Sequence, residues 1–335
     1  MSDAAGDPHA ALDEVARILG DARSVLLTSH RRPDGDGTGS MVGLASLLRA
    51  AGKEAVLYSP DLIPRRYKWL PLLKGLVHRV PATARFDATI VVDCADLQLL
   101  GDALPPPEVR GVLISLDHHA AGRPFGDVTV CDPDAAAVSV LVARLARRLG
   151  WSIPADAATG LYVSLISDTG GFRHANTNVE ALRLAAELVA AGAEPAVVSS
   201  ALYERRPTDA LRWLGESLAR VEVSEDGRVA WLALPSGAVP ETFIESEELV
   251  NYPRSIASVR VACLLRERGG TVKVSLRGKG DVDVNRIAAR FGGGGHPNAA
   301  GCTVPGALAA VTRDVLAAVH AAMRGEPAAS IPTRP

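Results

Sequence analysis

The chain has 335 residues, 47% of them apolar and 22% charged, and a net charge of −2 at pH 7. That length allows two separate cores, and the composition is that of an ordinary globular protein. The charge excludes non-specific coating of long nucleic acid, which needs a strongly basic surface, but not a small anion held in a local basic pocket.

Residues 1–22 lack the apolar core of a signal peptide, and charge interrupts the Ala-rich helices, so no membrane span and a cytoplasmic location are expected. Cys94, Cys131, Cys263 and Cys302 form no CxxC pair and lie in or beside apolar runs. They read as buried, reduced thiols rather than a zinc site or disulfide frame.

Residues 10–20 have amphipathic helical spacing, and 24–28 form a short apolar run suited to a buried parallel strand. His30, Asp34 and Asp36 come next. Pro33 and the glycines at 35, 37 and 39 predict a tight strand-to-helix loop, with the helix beginning near Met41. Two carboxylates and an imidazole within seven residues would repel and desolvate one another without a cation. Their N/O donor mixture suits a divalent ion such as manganese. The plainer reading is an Asp-Gly turn followed by an ordinary Asp N-cap.

Further strands are expected at 54–58, 87–92 and 111–116. The second of these ends in Asp93, and the third in Asp117-His118-His119. Three apolar strands therefore end in acidic or His-bearing loops. Carboxyl ends of neighbouring parallel strands lie side by side, where open α/β sheets bind ligands. A strand at 128–131 follows, then a helix capped by Asp132-Pro133-Asp134 and running to Leu149. A helix over 155–166 leads to Asp168, and Asn176-Thr177-Asn178 caps another over 179–191.

Residues 192–207 lose the strand–helix rhythm and read as a partly helical connector. Beyond Trp213 come shorter β-type runs at 220–223, 229–234, 258–265 and 271–276. A helix near 284–291, the glycines 292–295 before His296, and a helix over 308–323 complete the chain. Arg277 can hold a phosphate by a two-point fork, and Lys279 adds a mobile charge. The amides of the glycine run can form an anion nest beside His296. The plainer readings here are solvated charge and a flexible loop.

Taken in order, His30-x-x-x-Asp34-x-Asp36, Asp93, Asp117-His118-His119, Asp168 in Ser-Asp-Thr-Gly-Gly and the Gly-Gly-Gly-Gly-His run resemble the DHH phosphoesterases that carry a DHH-associated C-terminal domain. The likeness is to the short type that acts on oligoribonucleotides and 3′-phosphoadenosine 5′-phosphate, and it covers nearly the whole chain.

The resemblance implies an α/β fold: a catalytic domain over 1–192 with a mainly parallel sheet flanked by helices, a connector over 193–212, and a smaller α/β nucleotide-binding domain over 213–328, with a cleft between the two. It implies two divalent ions, manganese first and magnesium as the alternative. His30, Asp34 and Asp93 would hold one, and Asp36, Asp93, His118 and Asp168 the other. Asp117 would orient the loop or the imidazole of His118, and His119 would donate to a phosphate or leaving oxygen. Arg277, Lys279, Gly293, Gly294, Gly295 and His296 would grip the nucleotide. The expected substrates are short RNA and small nucleotides, not long duplexes. Cyclic-dinucleotide cleavage, pyrophosphatase activity and a non-catalytic nucleotide sensor remain as rivals. A homodimer is left open.

Overall fold

The structure, a computed structural model, describes residues 7–31, 33–119, 122–238 and 249–324. Backbone contacts divide the chain into two compact units, Met1–Arg205 and Arg206–Pro335.

The first unit runs α1 (Pro8–Asp21), β1 (Ser24–Ser29), α2 (Gly35–Ala50), β2 (Glu54–Leu57), β3 (Ala88–Val92), α3 (Pro107–Arg110), β4 (Val112–Asp117) and β5 (Val128–Cys131). Helices α4 (Val138–Arg148), α5 (Ala155–Asp168), α6 (Val179–Ala190) and α7 (Pro195–Tyr203) follow. Its five strands form one sheet in the order β2-β1-β3-β4-β5, and every neighbouring pair is parallel. All five residues of β3 are buried, as its continuous Ala-Thr-Ile-Val-Val run requires. One apolar cluster joins β1, β3 and β4 to α1, α2, α4, α5 and α6, and Val198 and Leu202 of α7 pack into it.

Helix α2 begins six residues earlier than the sequence indicates, so Asp36, Gly37 and Gly39 lie inside it rather than on a loop. The glycines serve close approach, not turning. A Cβ on Gly39 would stand 2.5 Å from the Gly160 carbonyl oxygen, and one on Gly43 would stand 2.5 Å from the Leu161 side chain. One on Gly37 would meet Ser29 Oγ at 2.3 Å. Helix α2 is thus drawn against α5 and the end of β1, and tertiary packing overrides the low helix propensity of glycine.

Helix α4 also differs from expectation. The Asp132 carboxylate caps only a local turn, accepting from the Asp134 N–H at 3.0 Å. The chain stays irregular to Ala137, and α4 opens at Val138. Arg144 of α4 forks onto Glu180 of α6 at 2.8 and 2.6 Å and reaches back to Asp132 at 2.5 Å, which pins this segment.

The second unit runs α8 (Thr208–Leu218), β6 (Glu222–Val223), β7 (Val229–Leu234), α9 (Asn251–Ser255), β8 (Val261–Arg268), β9 (Thr271–Gly278), α10 (Val284–Ala289), β10 (Gly294–His296), β11 (Ala299–Pro305) and α11 (Leu308–Met323). The strand order is β10-β11-β9-β8-β7-β6. The β7–β8 pair is parallel and the others antiparallel. Val261, Cys263, Val274 and Leu276 pack with α10 and α11, while Ala230, Leu232 and Leu264 pack with Leu249, Val250 and Val259. All four cysteines are free thiols. Among the described residues, no helix is long and apolar enough to cross a membrane.

Candidate active site

The carboxyl ends of β1, β3 and β4 bring His30, Asp93 and Asp117-His118-His119 together, and the facing ends of α2 and α5 add Asp34, Asp36 and Asp168. Three overlapping groups have their donor atoms within 4.8 Å of one another: His30, Asp34 and Asp93; Asp36, His118 and Asp168; and Asp93, His118 and His119. Asp93 belongs to two of them. Its φ of 56° is left-handed, a conformation that Asp tolerates better than most residues.

Each side chain is held by a specific partner. His30 Nδ1 is 2.9 Å from the Arg31 carbonyl, and His118 Nδ1 is 3.0 Å from the Ala135 carbonyl. With Nδ1 donating to a backbone carbonyl, Nε2 of each ring is turned towards the carboxylates. His30 Nε2 is 3.5 Å from Asp93 Oδ2 and 4.0 Å from Asp34 Oδ1. His118 Nε2 lies 3.4 Å from Asp36 Oδ2 and 3.7 Å from Asp168 Oδ2.

Asp34 caps α2 by accepting from the Asp36 and Gly37 N–H groups at 2.9 and 3.2 Å. Buried Asp36 accepts from Ser164 Oγ at 2.6 Å, Ser40 Oγ at 3.1 Å and the Val138 N–H at 3.0 Å. The imidazole that Asp117 holds is that of His119, at 2.8 Å, while His118 is held by the Ala135 carbonyl.

The electrostatics show the cost of this crowding. Burial pushes the Asp93 carboxyl up to about 7, reinforced by the charges of Asp36 and Asp34. Burial and the same two neighbours push Asp168 up to about 8, and burial raises Asp36. Burial alone would lower the His30 imidazole, but Asp34 and Asp93 outweigh it and hold it up at about 11. Burial alone would likewise lower the His119 imidazole, but Asp117 outweighs it and holds it up at about 9. Asp34 is raised by burial, yet His30 and the α2 amides bring it below the usual carboxylate range.

The donor set fits divalent cations. His118 Nε2 is buried without a hydrogen-bond partner and is aimed at two carboxylate oxygens. A lone pair facing two carboxylates is repulsive until a cation stands between them.

Several supporting residues escape sequence reasoning. Asn176, which reads locally as part of a helix cap, donates to Asp168 Oδ2 at 2.9 Å and to the Ala136 carbonyl at 2.9 Å. Asn178 performs the capping, accepting from the Ala181 N–H at 2.9 Å. Ser40 sits four residues after Asp36, a helical spacing that would have flagged it. Nothing local marks Ser164 or the backbone of residues 135–138. His174 Nδ1 lies 3.1 Å from the Asp168 carbonyl. Asp96 caps a 3₁₀ segment (Leu97–Ala103) by accepting from the Gln98 N–H.

The remaining expected residues belong to the second unit. Arg277 lies within β9, with Nη1 3.0 Å from the Leu276 carbonyl. Lys279 Nζ is bonded to the Ile256 carbonyl at 2.9 Å. The Gly292 and Gly293 amides are donated to the Ala289 and Ala288 carbonyls at the end of α10. Gly294 and Gly295 pair with Gly301 and Ala300 in a hairpin. A Cβ on Gly293 would stand 2.1 Å from the Gly301 carbonyl oxygen, so only glycine fits there. The His296 side chain lies outside the described residues.

Comparison with known proteins agrees with this architecture. Residues 24–192 match the family model for the DHH family, N-terminal domain, and residues 242–325 match that for the DHHA1 domain. The chain is 35% identical over 283 residues to the bifunctional oligoribonuclease and PAP phosphatase NrnA of Thermus thermophilus, covering 84% of each chain. To the protein of the same name from Bacillus subtilis it is 28% identical over 297 residues, covering 87% of this chain and 92% of that one. The crystal structure of an exopolyphosphatase-related protein from Bacteroides fragilis superposes with a TM-score of 0.85 at 28% identity, covering 93% of this chain and 96% of that one. With its parallel sheet, its clustered carboxylates and imidazoles, and these matches, the chain belongs to the DHH family and is a hydrolase of phosphoester bonds.

Proposed function

We propose that the protein hydrolyses very short RNA oligonucleotides to mononucleotides and removes the 3′-phosphate of 3′-phosphoadenosine 5′-phosphate, with manganese as the preferred metal. The observation that carries this reading is Asp93, shared between two clusters of metal-type donors, in a chain closely related to enzymes named for those two activities.

His30, Asp34 and Asp93 would hold one ion, and Asp36, Asp93, His118 and Asp168 a second. Bound divalent cations would neutralise the phosphate oxygens and acidify the attacking water. The chain's own residues supply the rest. Ser40, Ser164 and the Val138 amide fix the Asp36 carboxylate, Asn176 fixes Asp168, and the Ala135 carbonyl sets the His118 tautomer. His119, held cationic near neutral pH by Asp117, is suited to donate a proton to a phosphate or leaving oxygen. Arg277, Lys279, Gly293, Gly294, Gly295 and His296 would bind the nucleotide. We place the catalytic domain at 1–192, the connector at 193–212 and the nucleotide-binding domain at 213–328.

The test is nucleotide release by metal-stripped protein reloaded with manganese or magnesium. The substrates are RNA of two to about twenty-four nucleotides, 3′-phosphoadenosine 5′-phosphate, a cyclic dinucleotide and pyrophosphate. Preference for dimers to about pentamers is expected, because the near-neutral chain offers no extended basic track. A kcat/KM that rises steadily with length would overturn it in favour of a processive nuclease. Binding without turnover would favour a sensor.

A further inference from the structure

Residues 132–138 link β5 to α4, and the start of α6 lies along them in step. Asn176 Nδ2 donates to the Ala136 carbonyl at 2.9 Å, and Asn178 Nδ2 donates to the Asp134 carbonyl at 3.0 Å. Glu180 meets Asp132 through Arg144, whose guanidinium reaches the two Glu180 carboxylate oxygens at 2.8 and 2.6 Å and Asp132 Oδ2 at 2.5 Å. Alternate residues of the two segments are thus matched as an antiparallel ladder, and Arg144 makes its last rung.

Asp132 shapes the turn that follows it. Its N–H donates to the Asp117 carbonyl at 3.1 Å, and its own carbonyl accepts from the Ala135 N–H at 3.0 Å. Its carboxylate accepts from the Asp134 N–H at 3.0 Å. The turn delivers the Ala135 carbonyl to His118 Nδ1 and, three residues on, the Val138 N–H to Asp36 Oδ2, each at 3.0 Å. Ala135, Ala136 and Ala137 are buried and have no polar side chain, so backbone bonds and the ladder hold this stretch in place.

The Arg144 and Asp132 side chains are 15% and 11% exposed, so their pairing is screened little by solvent. One guanidinium stands between two carboxylates. Without it, Asp132 and Glu180 would repel, and Asp132 would be left charged and largely out of water. The ladder would then open at the turn that aims the Ala135 carbonyl. We infer that Arg144 is a positioning residue for the Asp36, His118 and Asp168 half of the site. Its guanidinium bonds to none of the three. It fixes the backbone that orients His118 and Asp36, and that same stretch meets Asp168 through Asn176. The inference rests on the proposed second ion, held by Asp36, Asp93, His118 and Asp168.

A neighbouring pair supplies the control. Arg147 and Glu187 also join α4 to α6, at 2.5 Å, but both are half-exposed and neither touches residues 132–138. Metal-stripped wild type, Arg144→Gln, Arg144→Lys and Arg147→Gln are titrated calorimetrically with manganese. His118→Ala identifies which binding event belongs to its half of the site. Arg144→Gln is expected to weaken that event about ten-fold and leave the other within about two-fold. Arg144→Lys keeps the charge but loses the fork, so about five-fold is expected. Arg147→Gln should match wild type. In the metal-free proteins, hydrogen exchange followed by mass spectrometry should be about ten-fold faster over residues 132–139 in Arg144→Gln, and unchanged over β3.

Both ions bound by Arg144→Gln within about two-fold of wild type would overturn the inference. Equal weakening of both events, an equal loss in Arg147→Gln, or faster exchange that extends to β3 would also overturn it, since each marks a general loss of packing. If Arg144→Gln does not fold, Arg144→Lys decides by the same comparisons. A wild type that binds no second ion would sink the two-ion reading instead. The exchange over 132–139 would then decide alone whether Arg144 holds the backbone behind His118 and Asp36.

Discussion

The side-chain amide of Asn176 donates to Oδ2 of Asp168 at 2.9 Å, and the same nitrogen reaches the Ala136 carbonyl at 2.9 Å. Asp168 is thereby tied to the segment between β5 and α4. That segment also supplies the Ala135 carbonyl to His118 and the Val138 amide to Asp36. Three candidate ligands on three different elements are therefore referenced to one short stretch of backbone.

Asn176→Ala should lower divalent-metal affinity about 10- to 100-fold while leaving the secondary structure intact. Asn176→Asp should do more harm, because it sets a second carboxylate against Asp168. Metal titration of stripped protein, followed calorimetrically, checks both. Affinity equal to wild type in both variants would remove Asn176 from the site.

Asp93 gives a prediction about pH. Its carboxyl is raised from 3.8 to about 7, chiefly by burial, so in metal-free protein the folded state binds this proton more tightly than the unfolded state does. That contribution is fully present below about pH 3.8 and is lost as pH rises through about 7. Asp93→Asn removes it and keeps a residue type that tolerates φ 56°. The metal-free variant should therefore match or exceed wild type in melting temperature above pH 7, while losing metal binding and turnover. Parallel melting curves across the pH range would show that Asp93 is not strained by its neighbours.

The α2–α5 contact gives a prediction about stability alone. Gly39→Ala would place a methyl 2.5 Å from the Gly160 carbonyl oxygen and 2.6 Å from the Ser164 amide nitrogen. It should destabilise by about 1–3 kcal/mol or more, since neither backbone can give way locally. Gly20→Ala in α1 meets nothing within 4 Å and should stabilise by about 0.5–1 kcal/mol. Urea unfolding of both proteins measures the contrast; changes of the same sign would refute the packing argument.

These particulars show what the sequence made legible. The apolar runs ending in Asp93 and Asp117 were visible because buried parallel strands must be continuously apolar. The start of α2 was not, because Gly35, Gly37 and Gly39 argue locally for a turn, and only the approach of α5 and Ser29 makes them helical. Asn176 was hidden for a related reason: its partners, Asp168 and Ala136, lie 8 and 40 residues away, and no local pattern encodes such contacts.

Helix α2 carries one further consequence. Every residue from Gly35 to Leu48 is buried, so the helix has almost no solvent-facing side along which to fray. Its amide protons can reach water only when the surrounding layers separate, so their exchange should follow the global opening of the first unit rather than any local fluctuation. The backbone that presents Asp36 is therefore as persistent as the fold itself. Any adjustment between substrate entry and product release must fall to the segments around it.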